Sequence, residues 1–297
     1  MSLWVAFTFA AAAMQTVRFV LQKQLRGAGL STGGATFSRF LFAAPMALLL
    51  AAGALAVTGE HMPGLSGRFW AFVTMGGIGQ IIATFLTVAL FSLRNFAVGI
   101  AFTKTETAQV ALFSAVILGE AVSPTGWAAI AIGFAGVILL SGGPGSGARL
   151  WGRPAIYGLL AGGLFGISAV GYRGATTELL PLPFMLRALI ALSAATAVQT
   201  LLMGLWLIWR EPGEITRVLA RRRVTIWVGI TGMLGSLGWF SAFALQNAAY
   251  VRALGQTEIV FTMIASAVFF HERLAWREAG GIALVVISVM AIVLGFG

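Results

Sequence analysis

The chain has 297 residues, 59% of them hydrophobic and only 9% charged, with a formal charge of +10. Soluble domains carry about 25% charged residues, so a water-soluble globule is excluded, and a mean hydropathy of +0.94 points to a membrane. All the acids are Glu, and the absence of Cys excludes disulfides, thiolate metal sites and cysteine nucleophiles.

A helix needs ~20 apolar residues to cross ~30 Å of hydrocarbon. Such segments occur at 3–22, 33–57, 69–91, 97–118, 124–141, 155–175, 182–208, 224–246, 250–270 and 276–296. The first has no basic stretch before it and no cleavage site after it, so it reads as a retained span. Barrel-type alternation is missing, and backbone in lipid must satisfy itself, so the spans are predicted to be helices. The predicted fold is an all-α polytopic membrane protein of ten transmembrane helices. Pro63 and Gly64 break one connection, Ser141 to Gly147 forms a Gly-rich linker, and Arg210 to Arg223 is the longest charged loop.

The halves repeat. A shift of 152 residues lays Glu106 on Glu258, Glu120 on Glu272, and Phe91-Ser92-Leu93-Arg94-Asn95 on Phe243-Ala244-Leu245-Gln246-Asn247. This predicts a first five-helix repeat at 1–141, a linker at 142–153 and a second repeat at 154–297. Five spans per half is an odd number, so the second half is expected to be inverted relative to the first, an arrangement suited to alternating access.

The basic residues lie mostly in short gaps between spans, where they set orientation; they are not read as a nucleic-acid surface. One set of connections holds Lys23, Arg26, Arg94 and the arginines from Arg210 to Arg223, among others; the opposite set holds Arg68, Arg173 and Arg252. The richer side is expected to be cytoplasmic, which places both termini outside, in the periplasm if the membrane is a bacterial inner membrane.

The second span carries Arg39-Phe40-Leu41-Phe42-Ala43-Ala44. Small and apolar runs end in Glu120 and in His271-Glu272-Arg273-Leu274, and the ninth span opens with Gln256-Thr257-Glu258. With ten spans and a duplication, the chain resembles the EamA-type proteins of the drug/metabolite transporter superfamily. The resemblance implies two EamA-like repeats and export of small organic metabolites such as amino acids. It names no substrate and no cofactor, and many relatives are expected to keep both termini inside.

Glu106 and Glu258 are the leading functional candidates. Each lies about eight residues into a span, ~12 Å deep at 1.5 Å per residue, where an ionised acid is costly unless paired or wet. A proton is therefore the candidate coupling ion. The plainer alternative is a hydrogen bond that ties neighbouring helices. Lys104, two residues before Glu106, points to another face. It could reach Glu258 or a solute carboxylate, or snorkel to the interface. Its counterpart Gln256 carries no charge, so ion chemistry is expected to be asymmetric.

Arg18, deep in the first span, could hold a carboxylate through its planar fork, or simply pair with Glu. Arg39 and Arg187 read better as partners of Glu or of helix-end carbonyls near the interface. Gln80, Thr84, Asn95, Ser236, Trp239 and Asn247 could line a path, with Trp239 stacking on a planar solute or serving as a belt residue. Glu120 and Glu272 fall at span ends and read as turn structure. The glycines at 229, 232, 235 and 238 make a small face for close helix approach.

These residues point to a secondary transporter of a small solute, in contact with lipid. Neither a P-loop nor HExxH is present, so an intramembrane enzyme is the weaker alternative, beside a passive channel or scaffold.

Overall fold

The computed structural model describes residues 2–27, 29–92, 103, 106–140, 153–270 and 276–296. Most of these residues are helical and none lies in a strand. The first half supplies α1 (Leu3–Gly27), α2 (Thr32–Thr58), α3 (Gly67–Leu90), α4 (Glu106–Leu118) and α5 (Pro124–Leu140). The second supplies α6 (Arg153–Thr177), α7 (Phe184–Arg210), α8 (Glu214–Ala220), α9 (Arg222–Leu245), α10 (Ala248–Leu254), α11 (Glu258–Phe270) and α12 (Trp276–Phe296). Among the described residues, α1, α2, α3, α7 and α9 are long and apolar enough to cross a membrane.

Local chemistry sets the ends. Ser31 accepts a hydrogen bond from the Gly34 amide to cap α2, and Ser66 accepts from Phe69 to cap α3. Gly59 ends α2 with φ 69°, a left-handed conformation that glycine adopts without cost. In two places the structure differs from the sequence expectation. The charged loop after Arg210 contains α8, because Gly213 (φ 82°) turns the chain and Glu214 places an acid at the positive end of the new helix. The span expected at 250–270 is two helices joined by a 3₁₀ turn at Gly255–Thr257. The Trp239 ring occupies the space there: a Cβ on Gly255 would stand 2.6 Å from its Cη2.

The helices keep the 152-residue repeat. Shifted by that amount, the bounds of α2 fall on those of α7, and the bounds of α4 on those of α11. Packing follows the same exchange. α3 runs along α6, and their counterparts α9 and α1 run along each other; α2 faces α7, and α5 faces α12. The main contacts therefore tie one half to the other. Small residues let the backbones approach, since helices in lipid associate by close packing more than by hydrophobic force. Gly171 of α6 lies against the Phe72 carbonyl of α3, and Gly238 of α9 against the Phe7 carbonyl of α1.

Candidate functional site

α1 places Gln15, Arg18 and Gln22 three and four residues apart, hence on one face, and all three are buried. Gln15 connects two other helices. Its Nε2 donates to Glu258 Oε2 at 2.8 Å, and its Oε1 accepts from Trp239 Nε1 at 3.1 Å. The Trp239 ring in turn carries the Arg252 guanidinium 4.4 Å from its centroid, and Arg252 forms an ion pair with Glu106. One unbroken chain of contacts thus runs from Glu258 through Gln15, Trp239 and Arg252 to Glu106. Both glutamates are nearly fully buried, at 2% and 1% exposure, and both have polar partners, as acids in an apolar interior must.

A second set stands beside it. Arg39 donates to Thr84 Oγ1 at 3.2 Å and to Ser236 Oγ at 3.1 Å. Gln199 donates to Gln80 Oε1 at 2.8 Å and to the Tyr172 hydroxyl at 2.9 Å, and Tyr172 donates to the same Gln80 oxygen at 2.9 Å. Arg18 donates to Gln22 Oε1 at 2.6 Å and lies 4.1 Å from the centroid of the Phe19 ring.

Gln15, Gln80, Tyr172, Ser236, Trp239 and Arg252 help line a central cavity of about 20 Å³. That holds about one water molecule, too little for an organic solute. Larger hollows lie elsewhere, including a 410 Å³ groove bounded by Ile78, Phe85, Met203 and Trp206. That groove lacks convergent polar groups, so the small central cavity is the better candidate site.

Both ends of the bundle are tied across the halves. At one end the Arg173 Nε–Glu120 Oε1 pair spans 2.7 Å, Ser114 donates to the same carboxylate at 2.9 Å, and Arg173 Nη1 donates to the Phe243 carbonyl at 2.6 Å. At the other, the Ser31 amide donates to Glu214 Oε1 at 2.6 Å and the Ser31 hydroxyl to Glu211. Arg217 pairs with Glu214 at 2.6 Å.

Of the residues singled out in the sequence, Glu106, Glu258, Trp239 and Gln80 meet at this centre, with Arg18 alongside. Three readings need correction. The Trp239 ring is already engaged by Arg252 and lies 6.2 Å from Phe243, so it is not an open stacking face here. Asn247 caps α10, accepting from the Ala249 amide at 2.8 Å, because a short Asn side chain at a helix start reaches its own backbone first. Gln256 is buried beside Gly133 and Ser288, between α5 and α12, and away from the cavity. Lys104, Asn95, Glu272 and the 142–152 part of the linker lie outside the described residues.

Arg39, expected beside Glu or helix-end carbonyls near the interface, is buried at the centre; Arg187 does meet carbonyls, those of Thr176 and Ala244. Arg252, assigned from sequence to a connection, is buried within α10. Glu120, expected as turn structure, accepts from Ser114 just before it and also pairs with Arg173 of the other half. Sequence reasoning missed Gln15 and Arg252; the Gln15–Arg18–Gln22 spacing was the available signal for the first.

Fold and centre together define a helical membrane protein of two like halves, with polar and charged side chains of both halves joined at a buried core. The chain belongs to the EamA-like transporter family, whose model matches residues 2–142 and again 152–294. Membership in a transporter family fits a protein that moves small solutes and is not an enzyme. None of the curated proteins matches the chain. A solved crystal structure, described only as that of a protein, covers 99% of this chain and 96% of its own, with TM-score 0.68 at 19% identity. That similarity shows a shared fold.

Proposed function

We propose that this protein is a secondary active exporter of small organic metabolites such as amino acids, working by alternating access between two inverted five-helix halves. The reading divides the chain at 142–153 and counts ten membrane spans, with both termini periplasmic in a bacterial inner membrane. The observation that carries it is the contact chain from Glu258 to Glu106, in which repeat-equivalent acids are each held by a residue of the other half. Rearranging the halves must break and remake these contacts, so solute binding and proton movement can both act on them. Glu106 and Glu258 are the coupling acids. Gln15, Gln80, Trp239 and Arg252 are the solute-facing side chains, with Arg18 behind them.

The closed conformation supports a carrier over a channel. The central cavity is about 20 Å³, and polar ties close both ends. A channel would give flux that does not saturate.

The test is solute flux in proteoliposomes by the Glu106→Gln/Glu258→Gln double variant. The expected result is loss of flux in protein less stable than the parent yet monodisperse, with the same loss in Glu106→Gln/Arg252→Gln, which strands neither charge. Unchanged flux with unchanged pH dependence would remove both acids from the mechanism.

A further inference from the structure

The central charges do not balance. Three guanidiniums, those of Arg18, Arg39 and Arg252, face two carboxylates, Glu106 and Glu258, among the described residues, and all five side chains are buried. They form one cluster. Arg18 and Arg39 both lie against Gly232 of α9, where a Cβ would stand 3.3 Å from Arg18 Cδ and 3.0 Å from Arg39 Cγ. Arg39 repels Arg18 and Arg252 repels Arg39, while Glu258 attracts Arg18.

Of the three, Arg252 is ion-paired to Glu106 and Arg18 feels the charge of Glu258. Arg39 spends its fork on two neutral hydroxyls, Thr84 and Ser236. Arg18 donates to the neutral amide of Gln22, and among the described residues its Nη2 is buried without a hydrogen-bond partner. Two acids leave one of the three cations uncompensated, which is costly in an apolar interior, and such sites mark bound ligands or ion paths. Arginine is also the side chain best shaped to hold an oxyanion.

We propose that the solute is an organic anion, and that its carboxylate or similar oxyanion is received by the cluster of Arg252, Arg39 and Arg18. An anion supplies the missing negative charge. A cation would add a fourth positive charge and a neutral or zwitterionic solute would leave the imbalance in place, so within the metabolite class proposed above acids, acidic amino acids included, are favoured. Arg252 faces the cavity directly; Arg39 stands behind Ser236, which also lines it. The aromatic walls formed by Tyr172 and Phe240 take the solute's apolar body. This inference rests on the transport reading above.

The test uses the full chain in detergent and three carboxylates, benzoate, phenylacetate and glutarate, each beside its amide and the corresponding amine. At millimolar concentration at least one carboxylate is expected to raise the Tm by about 2 °C, while its amide and amine do not. The shift should vanish in the Arg252→Gln/Glu106→Gln variant, which removes both members of the pair and leaves neither charge stranded. No shift with any carboxylate, or an equal shift with an amide or amine, overturns the proposal. Flux in neutral-lipid proteoliposomes separates the two readings. A carboxylate that binds but never crosses removes transport and keeps the anion site. Saturable movement of an amine without any carboxylate keeps transport and removes the anion site.

Discussion

Thr84 and Ser236 are joined through a single guanidinium: Arg39 donates to one at 3.2 Å and to the other at 3.1 Å. They stand 152 positions apart, so they are the same position of the two repeats. One side chain from α2 therefore ties α3 to its own counterpart α9, at the place where the halves meet. Lysine offers a single ammonium without the planar fork and cannot reproduce this geometry. Arg39→Lys is expected to lose one charge-assisted hydrogen bond, about 1.5–3 kcal/mol, seen as a Tm several degrees lower and a matching fall in flux. A Tm and flux equal to those of the parent protein would make the bridge incidental.

The Glu106–Arg252 pair gives a sharper prediction. Removing one partner of a buried pair strands the other charge and costs about 3–5 kcal/mol, whereas removing both is far milder. Glu106→Gln and Arg252→Gln should each destabilise strongly, and the double variant by much less than their sum. A double-mutant cycle on detergent unfolding measures the coupling. Additive losses would mean that the two groups do not sense one another.

The ties at the two ends should control access from opposite sides. The chain has no native Cys, so Ser168→Cys, at the cavity wall, is a clean reporter. In inside-out and right-side-out vesicles, Arg173→Gln should speed labelling by an impermeant maleimide from the side that carries Glu120. Glu211→Gln/Glu214→Gln should speed it from the opposite side. An acceleration of about tenfold corresponds to 1.4 kcal/mol removed from the closed state. Equal acceleration from both sides in either variant contradicts separate gates.

Close helix contact should make some glycines irreplaceable and others not. A Cβ at Gly171 would stand 2.7 Å from the Phe72 carbonyl oxygen and 2.8 Å from the Gly76 amide nitrogen, both backbone atoms of α3. Gly171→Ala must push α6 off α3 and should cost about 1–3 kcal/mol. A Cβ at Gly53 of α2 meets nothing within 4 Å, so Gly53→Ala should be neutral or stabilise by about 0.5–1 kcal/mol. Thermal unfolding of the two variants side by side checks the contrast, and a tolerant Gly171 would show that α3 and α6 are not in tight register.

Much of the plan was legible in the chain because it is local. Hydropathy located the helices, and the offset between Glu106 and Glu258 revealed the repeat that α4 and α11 obey. The break at Gly255–Thr257 was not legible, because it answers to Trp239 pressing in from α9. Gln15 was missed for a related reason. Its partners, Glu258 and Trp239, lie 243 and 224 residues away. Asn247 was misread because a cap and a path-lining amide look alike until the backbone beside them is placed.

By itself, then, the sequence determined the membrane class, the place of most long helices, the duplication and the two buried acids, since each follows from short stretches of side-chain chemistry or from one fixed offset. The tertiary structure alone decided which polar groups meet: Arg252 with Glu106, Gln15 with Glu258, and Arg39 with the paired hydroxyls. A helix that is apolar nearly all round carries no signal for which face turns inward. That rotation is fixed only when glycine faces such as those of α6 and α9 let neighbouring backbones close upon one another.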